Sequence, residues 1–230
     1  MATSEYRDPE NLKQRIKDSY DAIAPTYNTW TQDHSPVRLE FVDKLLKLLD
    51  VSSSTADAIS ILELGAGAGI PATARLLASS PRVRVTANDI SSAQVSLGRA
   101  NLAAEAARVA WEEGDMCALS FGPGSLDAVL ALFSIIHLPR AEQAEMLGKL
   151  HDWLRPGGYL VANFVAEPME GFVLEKWLHD KGWMYWSGFG AEGTLDKIRE
   201  AGFEIVESEV RKEDVDAAFL WVVARKLTEA

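Results

Sequence analysis

Residues 59–70 read Ile59-Ser60-Ile61-Leu62-Glu63-Leu64-Gly65-Ala66-Gly67-Ala68-Gly69-Ile70, a short apolar run closing on an acid and three alternating glycines. The run has the length of a buried strand, and its glycines let the backbone turn sharply and pass close to a ligand. A helix is expected over Pro71–Ser79, then a strand over Val83–Ala87. The alternation continues with a helix from Ser91, a natural N-cap, to Ala107 and a strand over Val109–Glu113. Leu126–Phe133 is a continuous apolar run, as expected of a strand covered on both faces. Arg140–Leu154 reads as a helix, and Tyr159–Phe164 as a strand after a Pro-Gly-Gly turn. Repeated βα units of this pitch imply an α/β fold with a doubly wound, mostly parallel sheet.

Two further strands, Gly202–Val210 and Ala217–Arg225, are joined by only Arg211 to Asp216. That connection is too short for a crossover helix, so the pair should be antiparallel and complete a seven-stranded sheet. Upstream, residues 9–29 and 36–49 carry apolar side chains at helical spacing, followed by a Ser52–Thr55 linker. The chain is read as one domain over 1–230. Its parts are a helical cap (1–50), a βα core (58–165), an aromatic insertion (166–193), and a terminal helix and hairpin (194–230).

Glu63, Asp89 and Asp115 follow one another at 26-residue intervals, each at or just past the end of an expected strand. One βα repeat returns a parallel chain to the same sheet edge, so the three carboxylates should line one crevice where such sheets bind ligands. The glycine loop by itself is also compatible, as the lesser reading, with a tight turn that binds nothing. It lacks the third glycine of a dinucleotide fingerprint, where Ile70 stands, and no Gly-Lys-Ser/Thr follows as in a phosphate loop. An acid two residues before the first glycine would repel a diphosphate but attract an ammonium group.

Composition narrows the partners. The chain has 230 residues and a net charge of −11, and it shows no basic run. Nucleic acid and anionic membrane surfaces are therefore disfavoured as main partners. Cys117 is the single cysteine, which excludes an intrachain disulfide and a multi-cysteine zinc site. The charged N-terminus lacks an apolar leader and no run is long enough to span a bilayer, so a cytoplasmic protein is expected.

The motifs Ile61-Leu62-Glu63-Leu64-Gly65-Ala66-Gly67-Ala68-Gly69, Asn88-Asp89-Ile90-Ser91, Gly114-Asp115-Met116 and Leu154-Arg155-Pro156-Gly157-Gly158 occur in that order. Together they resemble successive motifs of the class I S-adenosylmethionine-dependent methyltransferases, over residues 20 to 226. The resemblance implies a Rossmann-like methyltransferase fold and S-adenosyl-L-methionine as cofactor. It implies that Gly65, Ala66 and Gly67 pass beneath the methionine part with Glu63 beside it. Asp89 would accept from the ribose hydroxyls and Asp115 from the adenine amino group, with Ile90 and Met116 sandwiching the ring. Phe133 would lie near the methyl group. Tyr20, Tyr27 and Trp30 resemble the closing aromatics of a cap helix, with core packing as the alternative, and Arg38 is a candidate for the cofactor carboxylate.

Methyl transfer from a sulfonium needs no metal, and a base only where the nucleophile arrives protonated. His137 is the best-placed base by position, with a purely packing role as the alternative; His34, His151 and His179 are less well placed. Residues 164–189 hold seven of the 20 aromatics, and are read either as an acceptor-pocket wall or as packed core. In the first case Tyr27, His137, Trp183, Tyr185 and Trp186 would meet the substrate. The missing Asn/Asp-Pro-Pro-Tyr motif, the lone cysteine and the lack of an acid ending the fourth strand argue respectively against amino-methylating DNA enzymes, arsenite enzymes and magnesium-dependent catechol enzymes. What remains is a metal-independent O-, N- or S-methyltransferase for a small, apolar or aromatic molecule. The alternatives are a catalytically silent methyltransferase-like partner protein and, disfavoured by Ile70 and the terminal hairpin, an NAD-dependent oxidoreductase.

Overall fold

The computed structural model describes residues 6–33, 35–52, 57–212 and 217–228. His34, the first five residues, most of the Ser52–Thr55 linker and the tip of the terminal turn lie outside them. Two helices lead the chain, α1 (Leu12–Asp33) and α2 (Ser35–Leu48). The alternating core follows as β1 (Ile59–Leu64), α3 (Ala72–Ser79), β2 (Val83–Asp89), α4 (Ser92–Asn101), β3 (Val109–Glu113), β4 (Leu126–Ala131), α5 (Arg140–Trp153) and β5 (Leu154–Val165). The chain ends in β6 (Pro168–Glu175), β7 (Trp183–Phe189), α6 (Gly190–Glu200), β8 (Phe203–Lys212) and β9 (Ala218–Lys226).

The main sheet has seven strands in the order β3-β2-β1-β4-β5-β9-β8. The first five are parallel, and β9 pairs antiparallel with both β5 and β8. Burial explains the sequence pattern. Central β4 buries Leu126, Ala128, Val129, Leu130 and Ala131, whereas edge strand β3 buries only Val109. The order reverses between β1 and β4, and the crevice above that switch point lies at the carboxyl ends of β1, β2 and β4.

The aromatic insertion adds a feature absent from the sequence reading. β6 and β7 form an antiparallel pair outside the main sheet. On β7 alternate residues point to opposite faces. Trp183 and Tyr185 therefore turn toward α1, where they join Leu12 and Ile16 in a second small core. Trp186, of the other parity, faces elsewhere. Among the described residues no helix is long and apolar enough to cross a membrane.

α1 roofs the crevice through polar contacts rather than a continuous apolar seam. Its Asp21 carboxylate accepts from Ser91 Oγ at 2.6 Å and Ala93 N at 3.0 Å, capping the N-terminus of α4 from another helix. Ser91 also caps α4 in the expected manner, accepting from Gln94 N. Farther along α1, the Trp183 amide donates to Ser19 Oγ, and the Arg15 guanidinium lies 3.9 Å from the centre of the Trp183 ring.

Candidate functional site: two cavities with a shared wall

The loop after β1 climbs through Gly65, Gly67 and Gly69, all at positive φ. Gly65 is obligatory on two counts. Its φ is +69°, and a Cβ there would lie 2.5 Å from the Cβ of Ser134. The loop thus sits directly against the segment following β4. Glu63, on β1, is buried and accepts from Thr73 Oγ1 at 2.7 Å. Burial pushes its carboxyl up to about 7. Asp89, the last residue of β2, accepts from Ser91 N at 2.8 Å through one oxygen and Gly67 N at 2.7 Å through the other. Those amides favour the carboxylate, but burial outweighs them and raises it to about 6. Asp115, beyond β3, accepts from Cys117 N and from the Lys13 ammonium of α1, the latter at 2.6 Å.

The three carboxylates line one cavity, as their spacing requires. Gly65, Ala66 and Gly67 form its floor; Ile90 and Met116 stand at the Asp115 end, and Tyr20, Tyr27, Arg38, Phe133 and His137 at the other. Trp30, expected among the cofactor residues, does not line it.

A second, more apolar cavity adjoins the first. It holds Trp30, Trp186, Trp177, Phe172, Met169 and Phe219. Tyr20, Tyr27, Arg38, Phe133 and His137 line both cavities and form the wall between them. Trp183 and Tyr185 reach neither, because strand alternation turns them to α1. The expectation that they meet a substrate is corrected to a packing role. The Tyr185 hydroxyl is instead bonded to Asp8 at 2.5 Å.

The shared wall is held firmly. Phe133 stands at φ +54°, and its half-buried amide donates to Asn163 Oδ1 at 2.6 Å. The ring is wedged edge-on against Phe219 and Trp221, with the buried Arg38 guanidinium 4.5 Å above it. His137 is fixed at both nitrogens. Nδ1 lies 2.7 Å from the Tyr185 carbonyl, which can only accept, so Nδ1 carries the proton. Nε2 is then a lone-pair acceptor for the Tyr20 hydroxyl at 2.9 Å. Burial lowers the imidazole to about 4 and holds the Tyr20 phenol well above its ordinary value. At neutral pH the pair is a neutral phenol donating to a neutral imidazole.

Sequence reading missed several contributors. Lys13, Asn28, Gln94 and Ser134 line the first cavity, and Asn163 buttresses the wall from behind. Gln94 and Ser134 were open to detection, being polar residues at positions where the pattern buries a side chain. Lys13 was not, since its approach to Asp115 depends on how α1 docks.

The site suits an adenosyl amino acid. It offers a glycine cradle that a Cβ would fill, three strand-end carboxylates, and buried polar atoms at Gln94, Ser134 Oγ and Arg38 Nε without a hydrogen-bond partner among the described residues. Sheet order, glycine loop and strand-end acids define the fold class of the class I S-adenosylmethionine-dependent methyltransferases. Residues 61–158 match the family described as "Methyltransferase domain".

A ubiquinone/menaquinone biosynthesis C-methyltransferase, UbiE, of Paracoccus denitrificans (strain Pd 1222) is 34% identical over 128 residues, 54% of this chain and 49% of the relative. The chain thus spans about half the length of that curated relative. Burkholderia thailandensis 1,6-didemethyltoxoflavin-N1-methyltransferase, solved with 1,6-didemethyltoxoflavin and S-adenosylhomocysteine bound, superposes with a TM-score of 0.75 at 19% identity, covering 98% of this chain and 93% of that one. The 4+2 cyclase SpnF superposes with a TM-score of 0.71 at 18% identity over 94% of this chain and 97% of its own. One fold thus carries more than one kind of chemistry, and the reaction has to be argued from the site.

Proposed function

We propose that the chain is an S-adenosylmethionine-dependent methyltransferase acting on a small acceptor, apolar or aromatic in character. The observation that carries this reading is the pair of cavities with a common wall, one lined by three strand-end carboxylates and the other by aromatic side chains. In it Asp89 holds the ribose, Asp115 the adenine amino group, Ile90 and Met116 the ring faces, and Glu63 the ammonium group. Arg38 meets the cofactor carboxylate, and Tyr20 and Phe133 stand beside the reacting carbon. When bound, the cofactor supplies an electrophilic methyl group on a sulfonium.

The chain's own contribution is alignment and exclusion of water, which can lower the barrier by several kcal/mol. The acceptor rests among Tyr27, Trp30, Trp186, Phe172 and Trp177. An acceptor that arrives protonated gives its proton to the Tyr20 oxygen as the Tyr20 proton passes to His137 Nε2, the base at the end of that pair. The receiving atom is carbon, oxygen, nitrogen or sulfur; carbon joins the set because the curated relative is a C-methyltransferase. The net charge of −11 favours a small molecule over nucleic acid.

The test is calorimetry with S-adenosylmethionine on the wild type and on Asp89→Ala, together with transfer of labelled methyl to a metabolite extract. Micromolar binding, lost by at least a hundredfold in the variant, and a labelled small product are expected. Unchanged affinity in the variant would refute the ribose assignment, and wild-type protein that binds but labels nothing would favour the silent-partner reading.

A further inference from the structure

Gln94 stands on the first turn of α4, five residues past Asp89, with its backbone amide capped by Ser91 Oγ at 3.1 Å. Its side chain is 1% exposed, and neither Oε1 nor Nε2 has a hydrogen-bond partner among the described residues. A buried carboxamide with both ends unpaired is costly, because each polar group has lost water without compensation. Gln94 lines the first cavity, and its Oε1 lies 3.9 Å from where a Cβ on Gly67 would be. The amide of Gly67 in turn donates to Asp89 Oδ2. Gln94, Gly67 and Asp89 therefore converge on one end of the cavity.

The chemistry at that end is incomplete without a donor. Each Asp89 oxygen already accepts one backbone amide, and an ionised carboxylate can take further protons but give none. A vicinal diol presents two hydroxyl protons and also oxygen lone pairs. Asp89 answers the protons alone. The Gln94 Nε2 group, with two N–H bonds, can answer a lone pair.

The geometry points to Gln94 as a further cofactor-binding residue, donating through its carboxamide to a ribose hydroxyl oxygen whose proton is given to Asp89. This assignment rests on the cofactor reading above and adds to it a residue that reads the diol. Glycine at position 67 is needed for its φ of +56°, and a Cβ there would stand in ordinary contact with the carboxamide, 3.9 Å from Oε1.

The experiment is titration calorimetry of S-adenosylhomocysteine and its 2′-deoxy and 3′-deoxy analogues against the wild type, Gln94→Leu and Gln94→Met. Both variants should bind S-adenosylhomocysteine roughly tenfold more weakly, the effect of one lost hydrogen bond. One of the deoxy analogues should bind wild type and variants alike, because the hydroxyl that Gln94 serves is gone. Melting of the ligand-free variants should be unchanged or higher, since an unpaired buried amide is removed. Affinity within twofold of wild type in both variants would overturn the proposal. So would an equal loss for all three ligands, which would mark Gln94 as a packing support beneath the loop. Wild-type protein that fails to bind S-adenosylhomocysteine at all would instead overturn the cofactor reading itself. Should Gln94→Leu fail to fold, Gln94→Met, which keeps the unbranched shape, carries the comparison.

Discussion

If Glu63 faces the cofactor's ammonium group as proposed, cofactor binding should depend on pH in a direction that its burial fixes. Burial raises its carboxyl to about 7, against the ordinary value of 4.5, so below neutrality the folded chain holds it mostly protonated. An ammonium group beside Glu63 is stabilised by the ionised form alone. For a site of pKa about 7 that binds only when ionised, apparent affinity falls roughly fifteenfold from pH 7 to pH 5.5. The cofactor's own groups titrate near 8 and below 4, outside that window. At pH 6.5 binding should release about three-quarters of a proton from this carboxyl.

Calorimetry with S-adenosylhomocysteine in two buffers of different ionisation enthalpy reads both quantities. In Glu63→Gln the steep component should disappear, leaving a shallower dependence from Asp89, which burial raises to about 6. The sign for stability is opposite. A carboxyl raised in the folded state favours the fold at low pH, so ligand-free stability should fall as pH rises through about 4.5 to 7. Affinity flat within twofold between pH 5.5 and 7, with no buffer-dependent heat, would refute the placement of Glu63 against a cation.

Other consequences are equally direct. Trp183→Ala should cost about 3–5 kcal/mol of stability in urea unfolding, since the ring is 9% exposed and packed on α1. Trp186→Ala should leave S-adenosylhomocysteine affinity within twofold and lower turnover of the acceptor; equal loss of both would contradict the division into two cavities. Asn163→Leu leaves the half-buried Phe133 amide without its acceptor and should destabilise by about 1–3 kcal/mol in the same unfolding assay. Gly65→Ala should destabilise by about 2 kcal/mol or more through its φ and its collision with Ser134, and pairing it with Ser134→Gly should restore only the collision part.

The parallel core was legible because burial on both faces leaves an unbroken apolar run, as at Leu126–Ala131, and because βα repeats fix where chain positions recur. That recurrence took Glu63, Asp89 and Asp115 to one cavity without any knowledge of contacts. The insertion was not legible in the same way. Its aromatics do not say which of two faces each strand residue takes, so Trp183 and Trp186 looked equivalent until pairing of β6 with β7 set the parity. Trp30, expected among the cofactor residues, lines the second cavity, because position along a helix gives a side chain's azimuth only once the helix is docked. The Lys13–Asp115 contact spans 102 residues and depends wholly on that docking.

The β6–β7 hairpin forms no backbone ladder with the seven-stranded sheet, and the hydrogen bonds of the three carboxylates described above go to other elements. It supplies Met169, Phe172, Leu174 and Trp186 to the second, apolar cavity, where the acceptor is proposed to rest. Substitutions on it can therefore reshape what the chain accepts while the cofactor half keeps its geometry. On the proposed reading, a protein divided in this way can acquire a new acceptor through a handful of changes in one short segment, at little risk to its methyl-transfer chemistry.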